Sequence, residues 1–257
     1  MKTAVVCIAK EEAQYIDEWI EYHHKLGFDH FFIYENDWDY SIDKSYVTTI
    51  PFNGKHQQMP AYTHFLNQYR TKFNWATFID CDEFIVLKKH SNIKDFIKEY
   101  DNPFGIGINW QCFGSNGKLE RDPNSPNSLI KQFTLRQEGV NKHIKTIMNL
   151  ASQGYMVYPH NPNTRLMDTN RNFFRGPFNP KGDISVAQIN HYHYKTFEDW
   201  KIRCKRGQAD HAPAKTLDKW EKDKKSCTQL EDKWAYNFMY KEDKNDNSNI
   251  LHTTTTT

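Results

Sequence analysis

Trp75-Ala76-Thr77-Phe78-Ile79-Asp80-Cys81-Asp82-Glu83-Phe84 is the stretch on which the reading of this chain turns. Trp75–Ile79 predicts a buried strand, and that strand delivers two carboxylates, two positions apart, to its C-terminal end. Ligands of open α/β sheets bind outside the carboxyl ends of the strands. Mg²⁺ and Mn²⁺ prefer oxygen ligands and bridge a few carboxylates to substrate phosphates. Asp80 and Asp82 are therefore candidate metal ligands. An Asp-x-Asp pair alone is common, and its ordinary reading is an exposed loop with two solvated acids. Here its position behind a buried strand and three strand–helix units lifts it above that reading.

Working outward, Thr3–Ile8 is a continuous apolar run, as in a parallel strand buried on both faces. Ile16, Trp19, Ile20 and His23 recur at helical spacing, and Gly27 closes that helix. His30–Tyr34 and Tyr46–Ile50 read as further strands. Pro60 opens a helix with Ala61, Phe65, Leu66 and Tyr69 on its apolar side. Strands alternating with helices predict an α/β fold, with a mostly parallel sheet flanked by helices on both faces. Further on, Gly105–Trp110, His143–Met148 and Ala187–Tyr194 are expected strands, and Gly114–Ser128 is a long polar loop. From Thr196, a candidate N-cap, the pattern turns helical and charged, and Lys241–Thr257 reads as a frayed tail.

The 257 residues suit a catalytic-size domain over residues 1–210 followed by a helical extension over 211–257. A formal charge of +2 gives no electrostatic footprint for nucleic acid. The 5 cysteines are widely spaced without a Cys-x-x-Cys pair, which predicts reduced thiols and a cytoplasmic setting, with membrane contact at most peripheral. The apolar run at the N-terminus is too short for a membrane span or a signal-peptide core.

The loop after the first strand, Lys10-Glu11-Glu12, falls at the same sheet edge. A carboxylate there suits ribose or base and Lys10 suits a phosphate; the plainer alternative is a charged helix start favoured by the helix dipole. Lys145, between apolar neighbours in His143-Ile144-Lys145-Thr146-Ile147, is expected to face a polar group. His160 and Asp168, ahead of Glu120 and Asp122, are candidates for a general base, and Trp110 for stacking on a sugar.

The run Ala9-Lys10-Glu11-Glu12-Ala13-Gln14-Tyr15-Ile16-Asp17-Glu18-Trp19-Ile20-Glu21-Tyr22-His23 resembles the opening motif of glycosyltransferase family 92. The resemblance continues through Leu26–Phe31, Ile33–Asp37, Phe78–Phe84, Phe113-Gly114-Ser115, His143–Ile147, His160-Asn161-Pro162, Ile189–Lys195 and Arg206-Gly207. The family usually has Asn where Glu11 stands. The resemblance implies a GT-A fold, an ion such as Mn²⁺ or Mg²⁺, and a nucleotide-sugar donor, with a UDP-hexose favoured. It further implies a glycan or other hydroxyl acceptor and transfer with inversion. It makes His191 a third metal ligand and Lys195 and Arg206 a clamp for the departing diphosphate. Three rival readings are a zinc hydrolase built on His160, His191 and His193, a non-catalytic carbohydrate-binding or degenerate module, and a nucleotidyltransferase. The last would carry a Gly-rich phosphate loop after the first strand, where this chain has Lys10-Glu11-Glu12.

Overall fold

Every side chain of Thr3–Ala9 is buried, and most are β-branched, which suits a strand covered on both faces. The structure, a computed structural model, describes residues 1–37, 40–100, 104–206 and 215–241. In chain order the first elements are β1 (Thr3–Ala9), α1 (Ile16–Lys25), β2 (His30–Glu35), β3 (Val47–Pro51), α2 (Gln58–Tyr69), β4 (Trp75–Phe78), β5 (Glu83–Leu87), α3 (Ile93–Glu99) and β6 (Gly105–Cys112). Strand β1 lies between β2 and β4, parallel to both, and β3 runs parallel to the outer side of β2. All four carboxyl ends therefore meet at one edge.

The period of two along β1 decides which helix covers which face. Val5, Cys7 and Ala9 join a core with Ile16, Trp19 and Ile20 of α1. Ala4, Val6 and Ile8 join a second core with Ala61, Tyr62 and Phe65 of α2. Each fully buried Ile or Phe contributes on the order of 1.5–3 kcal/mol. Helix α1 also ties down the strand beyond the acid pair: Trp19 Nε1 donates to Glu83 O (2.8 Å) and Tyr22 Oη to Ile85 O (3.0 Å). Gly27, at φ 101°, ends the helix in a left-handed turn.

Beyond β4 the sheet continues with Ile144–Asn149, antiparallel to β4 and to the first half of β6. The second half of β6 leaves that partner and runs parallel to Ala187–His191, which is antiparallel to β5. The architecture is thus a mixed α/β domain with a mostly parallel central sheet and helices on both faces, as expected for a GT-A-like fold. The strand expected to reach Tyr194 stops at His191, α2 begins two residues before Pro60, and β5 is an element the sequence pattern left unread.

Thr196 caps the helix Phe197–Arg206 as expected. Its Oγ1 accepts from Asp199 N (3.1 Å), and Asp199 Oδ2 accepts from Thr196 N (3.3 Å), a reciprocal capping pair. Past it, the described residues form helices Leu217–Asp223 and Trp234–Tyr240, and the second docks on α1 through Tyr240 Oη to Glu18 Oε1 (2.7 Å). Gly207 of the resemblance and the tail beyond Lys241 lie outside the described residues. Among the described residues, no helix is long and apolar enough to cross a membrane.

Candidate active site

The chain leaves β4 at Phe78, turns over Asp80-Cys81-Asp82, and returns as β5. Glu83 N donates to Asp80 O (3.0 Å), and Asp80 N donates to the Glu83 carboxylate (2.9 Å), so the turn is closed from both sides. This fixes both aspartates on the wall of a cavity of about 600 Å³. Beneath them, Cys7 and Cys81 bring their sulfurs to 3.1 Å in the core. All 5 cysteines are free thiols, and burial pushes the Cys7 thiol up, so it packs as a small neutral group.

Asp80 is held by Gln58 Nε2 from the first turn of α2 (2.9 Å to Oδ1) and by Lys145 Nζ (3.1 Å to Oδ2). Lys145 is buried and also meets Glu83 at 3.2 Å. The polar partner expected for Lys145 is thus this pair of carboxylates. Burial disfavours its charge, but Asp80 and Glu83 outweigh that and raise its pKa above the ordinary lysine value. Glu83 is itself pushed well above the usual range by burial, against the pull of Lys145.

Asp82 faces a different set. His191 Nε2 lies 3.7 Å from Oδ1, and Arg203 Nη1 lies 3.4 Å from Oδ2. Burial opposes ionisation of Asp82, yet His191, Lys195 and Arg203 hold its carboxyl below the ordinary range. Burial pushes His191 down to about 3, with Asp82 offsetting only part of the effect, so the imidazole is neutral near neutral pH. The ladder between β5 and Ala187–His191 places His191 opposite Glu83.

Three residues expected to meet a donor separately are bound to one another. Arg206 Nη1 lies 2.6 Å from Glu12 Oε1, and Lys195 Nζ lies 3.1 Å from Oε2. Burial works against the Glu12 charge; Arg206 and then Lys195 overcome it and lower its pKa. Lys10 lines the cavity, pairs with Asp37 at 3.1 Å, and its carbonyl accepts from Arg206 (2.6 Å). Lys195 lines a smaller adjoining cavity of about 380 Å³ instead, together with Glu11. Glu11 is exposed and sits at φ 51°, the left-handed region that Asn tolerates far better than Glu. The departure from the family's Asn therefore falls at a strained turn, and base or ribose contact by Glu11 has no support from its placement.

Trp110 and His160 line the large cavity; Asp168 does not. The buried Asp168 carboxylate accepts from Asn170 N (2.9 Å), Asn172 N (2.8 Å) and Asn179 Nδ2 (3.2 Å), and so ties down the exposed loop that follows it. This placement corrects the choice of Asp168 as base. His160 donates through Nδ1 to Ile144 O (2.8 Å), and burial pushes its pKa down to about 2. His160 therefore lines the cavity with its Nδ1 already engaged. Gln58, Glu83 and Arg203 were not anticipated. Arg203 had a usable signal: it stands one helical turn before Arg206, on the same face. Among the described residues, no group of three or more His, Cys, Asp or Glu is arranged to hold a metal ion. This holds for His160, His191 and His193, the three ligands a zinc hydrolase would need, and equally for the expected trio Asp80, Asp82 and His191.

An acid pair at the carboxyl edge of a mostly parallel sheet, opening on a cavity, gives this α/β protein a candidate ligand site at the sheet's edge. The family model for glycosyltransferase family 92 matches residues 2–228, and the chain belongs to that family. A family 92 protein of Ricinus communis is 25% identical over 81% of this chain and 41% of its own length. One of Oryza sativa subsp. japonica is 24% identical over 81% and 38%, and one of Arabidopsis thaliana 24% identical over 79% and 39%. The chain thus spans about two-fifths of the length of these curated relatives. Among solved structures, HddC from Yersinia pseudotuberculosis is similar at TM-score 0.34 and 14% identity, over 59% of this chain and 75% of that one.

Proposed function

We propose that the chain transfers a hexose from a nucleotide-sugar donor, a UDP-sugar in the first instance, to a hydroxyl group of a glycan acceptor, with inversion and with help from a divalent ion. One observation carries the reading: Asp82 and His191 face each other at 3.7 Å in a cavity of about 600 Å³ that Lys10, Arg203 and Arg206 also line. Carboxylate and neutral imidazole suit an ion of the Mn²⁺ or Mg²⁺ type, which needs few protein donors when substrate phosphates complete its shell. Asp82 and His191 would hold it, with Asp80 as the flanking carboxylate. When bound, such an ion neutralises charge on the leaving diphosphate.

The remaining work falls to the chain. Arg203 and Arg206 supply fixed positive charge beside the acid pair, and Glu12 orients Arg206. Lys145 and Gln58 hold the Asp80 side chain in place at the cavity wall. Transfer also requires a dry site, and the buried β5 ladder and the Trp110 wall exclude water from one side of it.

The test is a thermal-shift screen of UDP-, GDP- and dTDP-sugars with and without Mn²⁺. A ligand at a hundredfold its Kd stabilises by about 2.7 kcal/mol, or roughly 5–11 °C for a domain of this size. One nucleotide should give that shift only with metal, and Asp82→Asn or His191→Ala should abolish the metal-dependent shift. A shift of equal size without metal, or none with any nucleotide, sinks the proposal.

A further inference from the structure

The aromatic wall of the cavity does not stop at its rim. Trp110 stacks on His143 at 4.9 Å and 20°, and meets His160 edge-on at 4.9 Å. Both histidines pass the row outward. His160 stacks on Tyr158 at 5.3 Å and 25°, and His143 meets Phe178 edge-on at 4.8 Å. Tyr158 and Phe178 are 47% and 43% exposed. Backbone pairing fixes both: Tyr158 ends a short strand paired with Asn161–Pro162, and Phe178 forms an isolated β-bridge with His143.

Single surface aromatics need no explanation. Two that extend a continuous row of stacked and edge-on ring contacts out of a cavity do. The row also offers hydrogen-bonding groups. His143 Nδ1 is engaged by Asn141 Oδ1 (2.7 Å), an acceptor, so this ring donates there and keeps Nε2 as an acceptor. The His160 Nδ1 bond to a backbone carbonyl has the same consequence. Flat rings interleaved with acceptors match a ligand with an apolar C–H face and a rim of hydroxyls, which is a pyranose. Two exposed rings beyond the cavity give room for sugar units outside the reacting one.

We infer that Tyr158 and Phe178 form an outer acceptor subsite, and that the acceptor is an oligosaccharide of at least two pyranose units. This inference rests on the transferase reading above. Both rings stand outside the cavity's acid and cation machinery, and both are exposed, so their replacement leaves the core intact.

The experiment measures binding of immobilised neutral and acidic oligosaccharides, from one to four pyranose units, to the 257-residue chain and to Tyr158→Ala, Phe178→Ala and Tyr158→Phe. Wild type should bind at least one series more tightly as units are added. Each alanine variant should lose about tenfold in affinity for the longer members and nothing for the monosaccharide, while Tyr158→Phe binds as wild type. No length dependence in wild type, or alanine variants that bind as wild type, overturns the inference. The nucleotide-sugar thermal shift is recorded on the same samples. If it is intact while the oligosaccharide arms fail, only the outer subsite falls. If it is absent while those arms succeed, the acceptor role falls and a carbohydrate-binding surface is left.

Discussion

Replacing Glu12 by Gln is the sharpest test of how the cationic side of the site is held. The side chain keeps its shape and loses its charge. In the wild type it is buried between Arg206 at 2.6 Å and Lys195 at 3.1 Å. Breaking a buried ion pair from one side costs about 3–5 kcal/mol. Arg206 retains some exposure and Gln one acceptor oxygen, so the lower end, about 3 kcal/mol, is expected. At about 2–4 °C per kcal/mol, that is a fall in Tm of roughly 6–12 °C. The pH dependence supplies a second reading. The folded-state pKa of Glu12 is lowered, so its contribution is complete above the unfolded value near pH 4.3 and is lost as pH falls through the folded one. The stability gap between wild type and Glu12→Gln, measured by urea unfolding, should therefore be flat from about pH 8 to 5 and narrow below about pH 4. A variant that melts within about 2 °C of wild type, or a gap that stays constant down to about pH 3.5, refutes the ion-pair account.

Two further expectations follow from the backbone. Glu11→Asn should raise stability by about 0.5–1 kcal/mol in thermal unfolding, because Asn adopts a left-handed φ at lower cost, and the nucleotide-induced shift should not change. Asp168→Ala should lower stability by about 1–3 kcal/mol through the donors it strands. Transfer by the folded fraction should persist within about twofold, whereas loss of a true general base costs on the order of 10²–10⁴-fold.

Local pattern made β1 to β4 and the acid pair readable, since β1, β2 and β4 are largely apolar runs and β3 is a short β-branched one. Strand β5 escaped because Phe84-Ile85-Val86-Leu87 follows the acids directly, and its stabilising partner, Ala187–His191, is about a hundred residues away in sequence. The placing of His191 near the acids came from resemblance; its physical cause is that ladder. Lys145 was legible as a lysine needing a partner, but which carboxylates would answer it depended on the pairing of β4 with Ile144–Asn149. Asp168 misled because an acid in the right region looks the same in sequence whether it faces substrate or three donors of its own loop. Tyr158 and Phe178 gave no signal at all, since exposure is set by the fold and not by the residue.

The pairing of Glu83 with His191 across one rung means the turn bearing Asp82 and the histidine facing it belong to a single stiff ribbon. Neither shifts without dragging the other. Grafting residues 80–87 into a related scaffold without also moving residues 187–192 would separate the Asp82 and His191 side chains, whereas transplanting both segments together should carry their spacing intact. For redesign, this ribbon is the smallest portable unit of the site.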